Sequence, residues 1–453
     1  MLRTHLQRTI GLLLGASMLA SCAQADRVQT AGGRDQVGVE EVAQGSNAFA
    51  LDLYREVAKP GENLFFSPAS ISLAMGYAYR GADGLTAEQM REVMHFPAGP
   101  EGYLRVGGEL DRMMQISGEG RELRSANAFW VRDDLTLNPQ FRADLEREAS
   151  GAFNTVDFGS NAEGARQEIN GWVARETNDR IKELIGRGVL DQLTAAVLVN
   201  AIYWKADWLT RFYEGATKEE PFFLVDGEEI TTDLMNLRSE FRGIKRGSVK
   251  LLDMPYAGEE VSMVAILPEK PGGLAKLEDG LTPRKLERWL DALDEAEPYD
   301  TVLTFPKMSL DWNADIKSVI EGMGAPLPFS KNANFDRMAT FPQESLPDWC
   351  GLKITNIIHQ ANIDVDEAGS EAAAATAVVM GGVMVTSARI GPPPPPPFIF
   401  RADHPFMFLL RDKRTGAILF MGRMVDPRDE TSSGPQAYTG PPEQYRPPCP
   451  ERL

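Results

Sequence analysis

The side chains best suited to covalent chemistry are scattered in this sequence. Of its four histidines, His5 falls in an N-terminal leader, while His95, His359 and His404 share no spacing with a nucleophile or a metal-ligand set. There is no GxSxG elbow, HExxH helix, CxxC pair, P-loop or glycine-rich dinucleotide turn. These patterns argue against an enzyme, and no cofactor or metal is expected.

What the sequence offers instead is an unusual peptide. Residues 366–391 read DEAGSEAAAATAVVMGGVMVTSARIG, and six prolines, Pro392 to Pro397, follow. An alanine-rich helix would account for the alanines. It would not account for the β-favouring Val378, Val379, Val383 and Val385, nor for the Gly381-Gly382 interruption. Read as a strand, Ser370, Ala372, Ala374, Thr376, Val378 and Met380 share one face, and Glu371, Ala373, Ala375, Ala377 and Val379 share the other. The charge lies on the second face. Such a segment can slide between two existing strands, because Ala, Ser and Thr meet little steric resistance and leave no charge to bury.

The elements that would receive it are spread along the chain. Helical periodicity runs over 69–80, 86–95, 101–115, 139–150, 163–185 and 282–293, and Ser46 is placed to cap a further helix with Phe49, Leu53 and Val57 on its apolar face. Strand-like runs are AVLVNAIYW (196–204), VSMVAILP (261–268), TVLTFPKMSL (301–310), FMFLLRD (406–412) and AILFMGRMV (417–425). Several are apolar on both parities, as in strands covered on both faces. With no composition break between 45 and 427, one α+β domain is expected. A flexible tether (22–44) precedes it, and a Pro-rich tail (428–453) is read as lying outside the fold.

The first 21 residues read as an export signal, with Arg3 and Arg8 before an apolar stretch at 10–14. Leu19-Ala20-Ser21-Cys22 resembles the lipobox of bacterial lipoproteins, in which Cys22 would be acylated and become the first residue; an ordinary signal cut near 23–25 is the alternative. Ala23, rather than Asp, favours the outer membrane by the same resemblance, so an exported, lipid-anchored protein is expected. Cys350 and Cys449 then remain as an even pair in an oxidising compartment, and a disulfide between them is open. A net charge of -18 with interspersed signs argues against a nucleic-acid partner.

Across residues 45–427 the text resembles the serpin superfamily of serine protease inhibitors. The resemblance rests on NLFFSPASISLAMGYAYRGADGLTAEQM (63–90), NAIYWKADW (200–208), Met254 to Tyr256 with Gly258, SMVAILP (262–268), Phe305-Pro306-Lys307, HQANIDVDEAGSE (359–371) and FRADHPFMFLLRDKRTGAILFMGR (400–423), in the family's order. It implies three β-sheets, eight or nine helices and an exposed reactive loop at about 368–398. It also implies a monomer whose partner is a serine protease, held as a covalent acyl-enzyme. Gly369, Ser370, Glu371, Ala372, Ala373, Ala374, Ala375 and Thr376 correspond to the hinge, and the family's count puts the cleaved bond at Val383-Met384. Ser67, Ser70, Asn200 and His359 correspond to a polar cluster that gates sheet opening, with Trp208 where insertion begins. Two departures fall at the hinge: Ala368 where an acidic residue is frequent, and Ser370 where Thr is usual.

Val383 favours an elastase-like or subtilisin-like target; a trypsin-like cut after Arg389 is the rival, and a non-inhibitory binding protein of the same fold is the alternative class. The prolines would form a polyproline II strut of roughly 19 Å, as a spacer or as a partner's ligand.

Replacing Cys22 by Ser should move the protein from the detergent-extracted membrane fraction to the soluble fraction, because acylation needs the thiol. A mutant that still requires detergent for extraction would count against the lipobox.

Overall fold

The computed structural model describes residues 37–118, 120–149, 152–340, 352–370, 395–428 and 431–433. Cys22, Cys350, Cys449, residues 371–376 of the hinge and the Val383-Met384 bond lie outside them. The described residues contain nine α-helices and three hydrogen-bonded sets of strands, in accord with the expected α+β class.

The main sheet is built on β1 (Arg121–Arg132), β2 (Ala196–Asp207), β3 (Met308–Asp315), β4 (Asn356–Val365), the two-residue β5 (Gly369–Ser370) and β6 (Thr431–Ser433). Its spatial order is β6-β3-β4-β5-β2-β1, continued by Ile116–Gly118, with Ala152–Val156 also on β1. A second, nine-stranded set includes Leu64–Phe66, Val249–Pro255, Val261–Pro268, Phe406–Asp412 and Ile418–Met424. It continues through the long strand Glu229–Arg246 to Tyr299–Pro306 and Phe398–Arg401. Thr136–Leu137 and Ala339–Thr340 form a separate pair.

The two-parity apolar runs have a direct explanation in the layers. On β2, Leu198, Ile202 and Trp204 enter the large core, while Val197, Val199 and Ala201 enter a second cluster with Phe158, Ile169 and Val173 of the helix Phe158–Glu176. Both faces of β2 are therefore dry. Between the sheets runs the helix Pro68–Gly81, all fourteen residues of which are buried. Its largely apolar sequence follows from being buried along its whole length, with Ser70 and Arg80 buried against polar partners.

Three sequence expectations shift. The first helix runs Val39–Val57, so Ser46 is a buried mid-helix residue and not its cap. Here Glu41 accepts a hydrogen bond from the Gly38 N–H at 2.9 Å, and Glu40 and Glu41 lie at the positive helix end. The polar text of the expected tether hid this start. The helix expected to reach 185 stops at Glu176, because Asn178 and Asp179 take positive φ values of 50° and 61°. Ile181, Leu184 and Ile185 still pack in the core, without helical structure. The run at 301–310 is two strands separated at Lys307, each in a different sheet.

One ion pair is buried within this framework. Arg80 donates to Asp144 Oδ2 from Nε at 3.0 Å and Nη2 at 2.5 Å, and Gln140 and Arg147 donate to Oδ1. Burial pushes the Asp144 carboxyl up, but the bonds from Arg80, Arg147 and Gln140 outweigh it and hold it below its ordinary range. Asp144→Ala leaves the Arg80 guanidinium with only the exposed Glu101 among its carboxylates, at 3.5 Å. The expected loss is about 3 kcal/mol, read as a lowered urea midpoint at unchanged m; an unmoved midpoint would mean that Arg80 is solvated.

Candidate functional site

The main sheet contains a fork. Strands β4 and β2 run parallel and are paired from Asn356↔Val197 to Asn362↔Tyr203. Above that point they part, and β5 lies antiparallel between them, with Ser370 opposite both Val365 and Ala206 and Gly369 opposite Asp207. The chain reverses from β4 into β5 through an Asp turn. Asp366 Oδ1 accepts from the Ala368 and Gly369 N–H groups at 2.8 and 3.1 Å, and the Asp366 N–H donates to Gly369 O at 2.9 Å. Glycine is required at 369 by close approach: a Cβ there would sit 2.1 Å from Ala206 O and 2.6 Å from Asp207 Cα. Ser370 is fully buried, its Oγ 2.7 Å from the Tyr256 hydroxyl oxygen. Tyr256 in turn stacks on Trp208, with centroids 4.4 Å apart, and meets Trp204 edge-on at 5.2 Å. Burial raises the Tyr256 phenol well above its ordinary range, so it remains a neutral hydrogen-bonding group.

A clasp lies over the turn. The Trp208 backbone N–H donates to Ala368 O at 2.8 Å, its indole N–H to Asp366 O at 3.0 Å, and the Phe212 N–H to Glu367 O at 2.9 Å. Glu367 accepts from the Thr217 hydroxyl at 2.5 Å and pairs with Lys307 Nζ at 2.9 Å. Burial raises the Glu367 carboxyl, but these two partners more than offset it and keep it below the usual carboxylate range. Lys307, pushed down by burial, is carried above its ordinary value by the same contact.

Beneath the fork a polar cluster crosses the zipped seam. His359 and Asn200 are directly opposite one another on β4 and β2, and His359 Nδ1 is hydrogen-bonded to Asn200 Oδ1. Because His359 Nε2 accepts from the Ser67 N–H at 3.1 Å, the proton must sit on Nδ1. Burial lowers the His359 pKa to about 3, so the ring is neutral at physiological pH and this single tautomer serves both bonds. Asn200 Nδ2 donates to Ser70 Oγ at 2.5 Å and to Asn127 Oδ1, which also accepts from Ser70 Oγ at 2.8 Å. Ser67 caps its helix through the Ser70 N–H at 3.2 Å and donates to Leu419 O at 2.6 Å. One network thus ties a helix N-terminus, both seam strands, β1 and the second sheet.

Of the residues expected from the sequence, the structure brings Ser67, Ser70, Asn200 and His359 into this cluster, and Trp208, Gly369 and Ser370 into the fork above it. Residues 371–376, 383 and 384 are not described. Asn127, Tyr256, Glu367, Lys307 and Thr217 were missed as contributors. Lys307 and Glu367 stood in recognised motifs, but nothing in their spacing paired them; Asn127 and Thr217 carried no sequence signal. At the far end of the loop, Phe398–Arg401 pairs in parallel with Tyr299–Pro306, and the Tyr299 hydroxyl donates to Pro396 O at 3.1 Å. The segment between Ser370 and Pro396 is therefore anchored at both ends.

The comparisons agree with this geometry. A family model described as Serpin (serine protease inhibitor) matches residues 44–427. An uncharacterised serpin-like protein of Thermococcus kodakarensis is 35% identical over 397 residues, spanning 86% of this chain and 86% of its own. The leukocyte elastase inhibitor of Bos taurus is 33% identical over 402 residues, spanning 86% of this chain and 100% of its own. A solved Arabidopsis serpin in its native stressed conformation matches with a TM-score of 0.73 at 28% identity, covering 87% of this chain and 100% of that one. A match over nearly the whole domain, with Gly369 and Ser370 seated between parallel strands, leads to one conclusion: this chain belongs to the serpin family of serine protease inhibitors.

Proposed function

We propose that the chain is a single-use inhibitor that traps a serine protease as an acyl-enzyme by drawing its cleaved loop into the main sheet. The observation that carries this reading is the register of β5. A strand antiparallel to two parallel neighbours, already paired with both, can be extended only along the seam between them.

Continuing the register of Gly369 and Ser370, Glu371 and Ala372 would enter the part of the fork that is already open. Residues 373–379 would replace the seven pairs from Asn362↔Tyr203 to Asn356↔Val197, one inserted residue per pair broken. Thr376 would fall between His359 and Asn200, so full insertion must break their hydrogen bond. The even-numbered residues, on the side of the buried Ser370, would face the core; they carry no charge, Glu371 lying on the other face.

The target's own serine would attack the Val383 carbonyl and expel the Met384 amine, leaving residues before the cut esterified to the protease. Insertion of residues 370–383, at ~3.3 Å each, would carry the attached enzyme roughly 46 Å before water completes hydrolysis. The driving force is the difference between a strand exposed to solvent and one paired on both sides, held back by the seam and its polar cluster. Val383 supports an elastase-like or subtilisin-like target, in line with the name of the bovine relative. The leader supports an exported protein anchored through Cys22 at the outer membrane or cell surface.

Incubating the protein with a panel of serine proteases should give a covalent complex that survives denaturing gels. In that assay Ala374→Arg should be cleaved without trapping, because the register would put a cation between the buried Ala361 and Ile202. An undiminished covalent yield would sink the insertion mechanism. The fragment released with an elastase-like enzyme should begin at Met384, and Val383→Arg should redirect reactivity towards trypsin-like enzymes; a fragment beginning at Ile390 would move the productive bond to Arg389.

A further inference from the structure

The family match ends at residue 427, and the solved Arabidopsis serpin is covered in full by 87% of this chain. The segment after 427 is therefore an addition to the shared domain. The tail was expected to lie outside the fold, yet part of it enters the main sheet: Thr431, Ser432 and Ser433 pair in parallel with Asp311, Trp312 and Asn313 on the outer side of β3. The inner side of β3 is paired with β4 along the whole of Met308–Asp315. Among the described residues of the family domain β3 is thus the last strand on its side.

An uncovered β3 would make an efficient template for a further strand. It is eight residues long, and Met308, Leu310, Trp312 and Ala314 are buried. Trp312 packs against Phe66 and His359 at centroid distances of 6.1 and 5.9 Å, which fixes the strand in place. The usual guards against strand addition are proline, lysine and outward charge. The sequence MSLDWNAD has neither proline nor lysine, and its two carboxylates are engaged within the sheet: Asp311 by Gln360 at 2.9 Å, Asp315 by Asn356 at 2.8 Å and the Ile357 N–H at 3.1 Å. The same chain carries, in residues 372–380, a run of small and β-favouring residues. A second copy could lay that run on the edge.

We infer that the outer edge of the main sheet is a strand-docking surface whose resident occupant is the chain's own tail, and that this occupancy excludes extended segments of a second copy of this protein. The tail is well placed to win. Asn63 holds the backbone of Val425 and Asp426 through bonds of 2.7 to 3.1 Å, a few residues before Thr431. The short link gives the tail a high effective concentration at the edge, which an intermolecular segment must exceed. The inference rests on the fold and the tail, and not on inhibitory activity.

Two variants of the otherwise full chain test it: removal of residues 428–453, and T431P/S432P, which removes the N–H of consecutive ladder positions so that whichever one donates is lost. Oligomeric state is read by light scattering across a concentration series, and amide exchange is followed at residues 311–313. The parent should stay monomeric. Both variants should form concentration-dependent oligomers, exchange at 311–313 at least about tenfold faster than the parent at dilutions where they are still monomeric, and be returned to monomer by a synthetic peptide of residues 428–436. Variants that remain monomeric overturn the exclusion of a second copy, whether or not exchange changes; oligomers that the peptide does not disperse overturn the edge as the docking surface. A parent protein that stays monomeric but traps no protease would bear on the inhibitory mechanism alone.

Discussion

Two parallel strands distant in sequence meet in the middle of the main sheet, and the fork, its clasp and the polar cluster are all built along their seam. Parallel neighbours share their backbone hydrogen bonds along seven positions, from Asn356↔Val197 to Asn362↔Tyr203. An antiparallel strand arriving between them would satisfy both partners and add a ladder. Under the proposed mechanism such a strand could enter only by breaking each existing pair first.

What holds the seam is polar and single-copy. His359 and Asn200 bond across it, and neither has a spare configuration: the neutral imidazole accepts from Ser67 with one nitrogen and donates with the other, and Asn200 spends its amide on Ser70 and Asn127. In a site this dry, opening the seam leaves each of these groups unpaired unless a new partner enters. Under the proposed insertion the hydroxyl of Thr376 would arrive at this level and could serve as such a partner.

The two ends of the fork are balanced differently. Gly369 and Ser370 sit inside the sheet, yet the clasp of Trp208, Phe212, Thr217 and Lys307 acts on the turn that precedes them and grips its carbonyls and the Glu367 carboxylate. The clasp fixes the turn that holds Gly369 and Ser370 in register with both neighbouring strands. The outer edge is managed by a different device, a strand from beyond the shared domain that covers the backbone of β3.

Much of this was legible in the residues. The order of motifs from Asn63 to Arg423 carried the family, and the small-residue face beginning at Ser370 carried the idea of a conditional strand, because composition and period-two alternation are local properties. Ser67, Ser70, Asn200 and His359 could be named by resemblance, and the both-parity apolar run of β2 announced a strand dry on two sides. The tertiary structure alone decided the rest. Asn127 and Tyr256 join the site only because the pairing register brings β1 beside Asn200 and lays the Trp208–Tyr256 bridge over Ser370. Lys307 meets Glu367 across sixty positions of sequence for the same reason. The first helix began earlier, and the 163–185 helix ended sooner, than periodicity indicated, since a cap made by Glu41 and the positive φ of Asn178 and Asp179 depend on local backbone geometry that hydrophobic patterning does not encode. The tail read as extraneous because three polar residues have no hydrophobic pattern; what places them is a ladder of backbone bonds to an edge that exists only once the sheet is assembled.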